Sequence, residues 1–237
     1  MMTRSNRSAA EVPCRPRGAS ILADVGDSQD RAGRFQKIFA ENAWGNSESS
    51  SGEGSNLERT KVVRAKLPGL LARHGVRSIL DAPCGDFYWM NEVALGDIDY
   101  IGADIVADII ARDVEWYASP RRRFVLCDLV SDPLPKAGLI LCRDCLVHLP
   151  YADTRLAIAN FRKSGATWLL TTTFPGRREN HDIEIGDWRP INLQEPPYGF
   201  PPPVEVITEE SDEVDEELGA FPDKSLGLWR LADLPSW

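Results

Sequence analysis

The chain has 237 residues, 43% hydrophobic and 27% charged, the balance of a soluble globular protein with one substantial core. Its formal charge of −9 excludes a broad electrostatic grip on nucleic acid or an anionic membrane, though not a local basic pocket. No apolar run approaches the roughly 18 residues that a membrane span requires.

Residues 1–30 carry Arg4, Arg7, Arg15 and Arg17 among Ser, Ala, Gly and Pro, and read as a disordered leader. The first part of the segment that follows, "FQKIFAENAWGNSESSSGEGSNLERT", is helical in period, and the second is a Ser/Gly-rich loop. "LERTKVVRAKLPGLLARHG" repeats apolar positions at helical spacing and should stop at Gly75. Strands and helices then alternate. "SILDA" predicts a strand and "FYWMNEVAL" a helix; "DYIGADI" is a strand, "VADIIARDVEWYA" a helix, and "RFVLCDL" and "AGLILCRD" are strands. "YADTRLAIANFRKS" is a helix and "ATWLLTTTF" a strand. Short aliphatic runs interleaved with amphipathic helices predict a parallel sheet covered on both faces. Residues 175–202, rich in Pro, Gly, Trp and charge, are too long for an idle connection. "PVEVITEE" and "SLGLWRL" close the chain as strands, with an acidic solvated loop at 209–217 between them. Residues 31–237 thus form one domain.

The five cysteines, Cys14, Cys84, Cys127, Cys142 and Cys145, make no disulfide ladder. Cys142 and Cys145 form a CxxC without a second pair, so no metal site is expected, and a reducing, cytoplasmic setting fits.

The informative pattern is three successive strands that each end on an acid. "LDAPCGDF" places Asp81, Cys84, Gly85 and Asp86 where the crevice of an open α/β sheet should lie. "YIGAD" ends on Asp104, suited to ribose hydroxyls, and "VLCDL" on Asp128, suited to an adenine amino group. "APCGDF" lacks the GxGxxG spacing that seats a pyrophosphate, which argues against a nicotinamide dehydrogenase. An acidic crevice instead tolerates a cationic sulfonium.

On these motifs the chain resembles the class I S-adenosylmethionine-dependent methyltransferases across roughly residues 60–174. Asp81 and Gly85 match the family's first motif, while Pro83 and Phe87 replace its other glycines. The resemblance implies a Rossmann-like α/β fold: a seven-stranded, mostly parallel sheet with helices on both faces and an antiparallel last strand. It implies S-adenosyl-L-methionine as cofactor and S-adenosyl-L-homocysteine as product. Asp81, Cys84, Gly85, Asp86, Asp104 and Asp128 would hold the donor, with the backbone at Leu129 against the ring. Residues 31–60 would be a lid, anchored by Trp44, with Ser49 and Ser51 near the methionine end. "NAWGNSESSSGEGS", "RDCLVHL", "TTTFP" and "DWRPINL" are further similar to small methyltransferases of bacteria and large DNA viruses associated with glycan assembly. That likeness implies a sugar or glycan acceptor.

Methyl transfer to an alcohol needs alignment and a base. Asp144 and His148, four apart after the fourth strand, would share a helical face, with His148 as base and Asp144 orienting it or binding hydroxyls. Arg143 would steady a carboxylate of the donor or the acceptor. Thr173 and Arg177 would line the acceptor side together with Asp187, Trp188 and Arg189, the indole serving as a sugar platform. Two other readings stand beside this one: N-methylation of a small metabolite, and a cofactor-binding scaffold without turnover whose acidic loop meets a partner.

Overall fold

The computed structural model describes residues 28–212, 214–215 and 219–236; the leader expected at 1–30 lies outside these up to residue 27. Among the described residues there are four α-helices: α1 (Ser28–Ala40), α2 (Lys61–Arg73), α3 (Ala107–Tyr117) and α4 (Tyr151–Lys163). The strands are β1 (Ser78–Asp81), β2 (Asp99–Asp104), β3 (Arg122–Leu126), β4 (Leu139–Cys142) and β5 (Trp168–Thr173). Four more follow: β6 (Glu205–Thr208), β7 (Val214–Asp215), β8 (Gly219–Ala220) and β9 (Ser225–Arg230).

Seven strands form one sheet in the order β3-β2-β1-β4-β5-β9-β6. The first five are parallel, and β9 runs antiparallel to both β5 and β6. The expected Rossmann-like seven-stranded architecture is therefore present. The chain steps outward from β1 to β3 and returns to β4 on β1's other side, so a crevice opens at the carboxyl ends of β1 and β4.

Alternation along the strands sends side chains into two cores. Ile79, Leu139, Leu141 and Leu170 face the layer of α2, with Leu67 and Leu71. Leu80, Ile140 and Leu169 face α4, with Ile158 and Phe161. Residues 175–202 carry no regular element, yet Ile191, Leu193, Tyr198 and Phe200 are buried in the α4-side core. That segment is a structured cover over the core.

Two sequence expectations change. "FYWMNEVAL" is no α-helix: Phe87 has a left-handed backbone (φ 55°), and only the single 3-10 turn Met90–Glu92 is helical. Phe87, Trp89, Met90 and Val93 are all buried, so packing demands produced an apolar pattern that mimics a helical period. The acidic 209–217 loop contains β7, paired with β8 as a small antiparallel ladder.

Candidate functional site

The turn after β1 is held from both sides. The Ala82 amide donates to Leu141 O and the Cys84 amide to Ala103 O, each at 2.9 Å, so β4 and β2 fix the turn at the mouth of the crevice. Gly85 follows with φ +54°, and a Cβ there would sit 2.2 Å from Ser51 Oγ. Only glycine suits that conformation and that approach.

A cavity of about 1020 Å³, part of it open to solvent, lies above the strand ends. Asp81, Cys84, Gly85, Asp104, Asp128, Leu129, Arg143, Asp144 and His148 line it, as do Trp44 and Ser51. Eleven of the expected residues thus meet in one space.

The acids differ in state. Burial pushes the Asp81 carboxyl up to about 7, against the opposing hydrogen bond that Tyr100 Oη donates at 2.7 Å. Burial likewise raises Asp104 to about 6, although the Val106 and Gly85 amides donate to it at 2.9 and 3.1 Å. Asp128 is already partnered: Arg31 Nη2 donates to its Oδ2 at 2.8 Å, and the Val130 amide to its Oδ1 at 2.9 Å. Arg31, only 1% exposed, also reaches Asp153 at 3.2 Å.

Asp86 and Ser49 lie behind the cavity wall rather than on it. Ser49 Oγ donates to both Asp86 oxygens at 3.0 Å, the Ser50 amide to Oδ2 at 2.7 Å, and the Asp86 amide to Ser51 Oγ at 3.0 Å. Asp86 is therefore the tether that draws the serine strap against the glycine turn. An acid after a glycine turn reads as ligand-facing in a sequence; here its lone pairs are spent on the strap.

At the other end, His148 ends the 3-10 turn Leu146–His148 and its Nδ1 lies 2.8 Å from Asp187 O. A carbonyl only accepts, so Nδ1 carries the proton and Nε2 the lone pair. Burial lowers the His148 pKa, partly offset by that hydrogen bond and by Asp144, so the ring is neutral at physiological pH. The Trp44 indole stacks on it, centroids 5.0 Å apart and 28° between planes.

Asp144 does not orient His148 as expected. Its backbone is left-handed (φ 49°), which breaks any shared helical face. Arg143 Nη1 lies 3.1 Å and Lys224 Nζ 3.0 Å from its Oδ2, and its amide donates to Thr172 Oγ1 at 2.8 Å. Burial alone would raise the Asp144 pKa, but the two cations outweigh it and hold the carboxyl well below the usual range. A carboxylate so held is no proton acceptor. Arg143 is itself gripped by Glu209 at 2.6 and 3.1 Å and lies over the Trp89 ring.

The expected acceptor-side residues do not line the cavity. Arg189 is fully buried, donating to Leu149 O and Tyr198 Oη at 2.8 Å. Thr173 Oγ1 accepts the Leu193 amide at 3.2 Å and so pins the 191–193 stretch. Trp188 packs edge-on against Phe221 and Phe174, with centroids 5.1 and 6.2 Å away. Arg177 donates to Ala220 O at 3.2 Å and lies over Phe221. Asp187 is exposed and contributes its carbonyl. These five close the 175–202 cover.

Sequence reading missed Arg31, Phe35 and Phe39, which line the cavity from α1. Their spacing of four, one face of a helix, was the available signal. Trp89 was missed as well, because it was assigned to a helix that does not exist.

Comparison with known proteins places the fold. The 1,6-didemethyltoxoflavin-N1-methyltransferase of Burkholderia thailandensis, solved with bound 1,6-didemethyltoxoflavin and S-adenosylhomocysteine, superposes with a TM-score of 0.51 at 14% identity, covering 90% of this chain and 93% of that one. The magnesium protoporphyrin IX methyltransferase of Synechocystis PCC 6803 with bound S-adenosylmethionine gives 0.48 at 15% identity, over 68% and 83%. No protein-family model and no curated protein sequence matches the chain. Fold and strand order are those of class I S-adenosylmethionine-dependent methyltransferases. Among the described residues, no helix is long and apolar enough to cross a membrane.

Proposed function

We propose that the chain moves the methyl group of S-adenosyl-L-methionine to a hydroxyl of a small polar acceptor, a sugar or glycan. The residues present fit the cofactor. The ring-sized apolar wall of Ile105, Val106, Ile109 and Leu129 adjoins Asp104, and the acids Asp81 and Asp104 suit a cationic ligand. When bound, the cofactor supplies an electrophilic methyl on a sulfonium, already activated. Asp104 would hold ribose hydroxyls, and Gly85 leaves room for the methionine end. Asp128, with Oδ2 on Arg31 and Ser131 and Oδ1 on the Val130 amide, would offer the second lone pair of Oδ1 to the adenine edge.

The observation that carries the reading is the His148 tautomer. The Asp187 carbonyl fixes the proton on Nδ1, so a neutral imidazole presents Nε2 as a proton acceptor in a residue that lines the cavity. An alcohol nucleophile needs that acceptor; an amine needs it less. Arg143 and Asp144, locked together, form a fixed polar wall. Cys84, Cys142 and Cys145, buried thiols, suit a reducing cytoplasmic setting.

Calorimetric titration with S-adenosylhomocysteine, with NAD in parallel, tests the cofactor: micromolar binding of the first alone, lost in Asp104→Ala, is the expected result. His148→Asn should lower kcat on a sugar acceptor by about 10²–10⁴-fold, with S-adenosylhomocysteine affinity unchanged. A variant that keeps most of its rate would point to a nitrogen acceptor.

A further inference from the structure

A second concavity lies on the outer side of the serine strap, between the end of α1, residues 42–50 and α3. It is a shallow groove of about 830 Å³, much of it open to solvent. Phe39 and Ser50 belong to its wall and to that of the central cavity, so a single layer separates the two spaces.

Its chemistry is specific. Arg112 and Trp116, one helical turn apart on α3, share a face. The guanidinium lies 5.5 Å from the Trp116 ring centroid and 5.9 Å from that of Phe39. It donates to Ser50 Oγ at 3.1 Å, and its Nε has no hydrogen-bond partner among the described residues. The nearest carboxylate, Asp113, is 3.8 Å away, fully buried, and both of its oxygens are likewise unpartnered there. Burial pushes Asp113 up to about 7, so it only partly neutralises the cation.

Trp116 is 62% exposed, which is unusual for an indole with neighbours to pack on. Asn42 and Asn46 also line it; Asn46 Oδ1 accepts the Glu48 and Ser49 amides at 2.7 and 2.9 Å, which leaves its NH2 to donate. Glu48 and Asp86 on the same wall repel an anion, and Arg112 repels a cation. What fits is an uncharged molecule with an apolar C–H face for the indole and hydroxyls for the amides and guanidinium.

We propose that this groove is a second, non-reacting saccharide site, with Trp116 as its platform and Arg112 as its hydroxyl clamp. The platform that the sequence suggested at Trp188 is packed between phenylalanines; Trp116 has the exposure and the polar company that role requires. The inference does not rest on methyl transfer, since the groove lies outside the central cavity.

The test uses the full chain labelled with nitrogen-15, titrated with maltotriose, chitotriose and cellotriose up to about 10 mM, and with glucuronate as the anionic control. A saturable shift of one indole N–H resonance by a neutral trisaccharide is expected, the same resonance being absent from Trp116→Phe. Trp116→Ala should weaken binding more than about tenfold without lowering Tm, because the side chain is exposed. Arg112→Met should weaken it with the indole signal still present. No indole shift with any of the three sugars, or a shift only with glucuronate, overturns the proposal. A wild-type chain that shows the shift but no methyl transfer to any sugar would overturn the proposed reaction and leave this site standing.

Discussion

Asp81 and Asp104 show how burial turns an ordinary acid into a sensor of charge. Their folded pKa values, about 7 and about 6, stand above the ordinary carboxylate value of 3.8. The folded chain therefore holds protons that the unfolded chain has released. Their contribution to stability is fully present below about pH 4 and is lost as pH rises through 6 to 7. The free protein should melt several degrees lower at pH 7.5 than these two groups would allow at pH 5. A cationic ligand reverses the sense, because it favours the ionised acids. S-adenosylmethionine should bind more tightly at pH 7.5 than at pH 5.5, and more steeply so than S-adenosylhomocysteine, which lacks the sulfonium charge. Asp81→Asn should flatten that difference, as calorimetry at the two pH values would show. These acids were legible in the sequence because strand ends position them by backbone alone. Asp86 and Arg189 were not: whether a polar side chain meets a ligand or another part of the chain depends on partners 35 to 40 residues away.

At the scale of elements, α1 is fastened to the rest by polar contacts. Arg31 bridges Asp128 and Asp153, Arg34 Nε donates to Ile185 O at 3.1 Å, and Gln36 Nε2 to Asp108 at 2.8 Å. Arg31→Met leaves two buried carboxylates facing one another without their cation. It should destabilise by about 3–5 kcal/mol in urea unfolding. Limited proteolysis should then cut within residues 41–60 faster than in the wild type. If stability falls but the strap stays protected, the bridge is structural and does not hold the strap. Only the half of the helix from Phe35 was readable from its period; residues 28–30, assigned in sequence to a leader, belong to it too, and its docking was not legible, since a buried arginine looks in sequence like a solvated one. "FYWMNEVAL" failed for the opposite reason. Phe87 packs on Tyr100, Tyr117 and Phe124 with centroids within 5.2 Å, and reaching all three requires a left-handed backbone that no apolar periodicity reveals.

For the whole molecule, the antiparallel β9 closes the α4-side core. Trp229 is 1% exposed, its Nε1 donates to Pro201 O at 2.8 Å, and its ring fills the space over Gly227, where a Cβ would come within 2.2 Å. Trp229→Ala should cost about 3–5 kcal/mol, lowering Tm by about 10 °C by calorimetry. Gly227→Ala should also destabilise, because the ring would have to move. Parallel strands and the acids at their carboxyl ends could be read from alternation and spacing. The 175–202 cover could not, because its buried Ile191, Leu193, Tyr198 and Phe200 follow no period and are placed by contacts with distant strands.

The Arg31 bridge also bears on how the molecule is made. Its carboxylate partners lie 97 and 122 residues downstream, so a ribosome adding roughly 5–20 residues per second delivers the second about 6–25 s after the arginine. During that interval the helix has no seat, and Phe35 and Phe39 face water or a chaperone. The segment translated early is thus among the last to settle, and vectorial synthesis leaves the crevice uncovered until the sheet behind it exists.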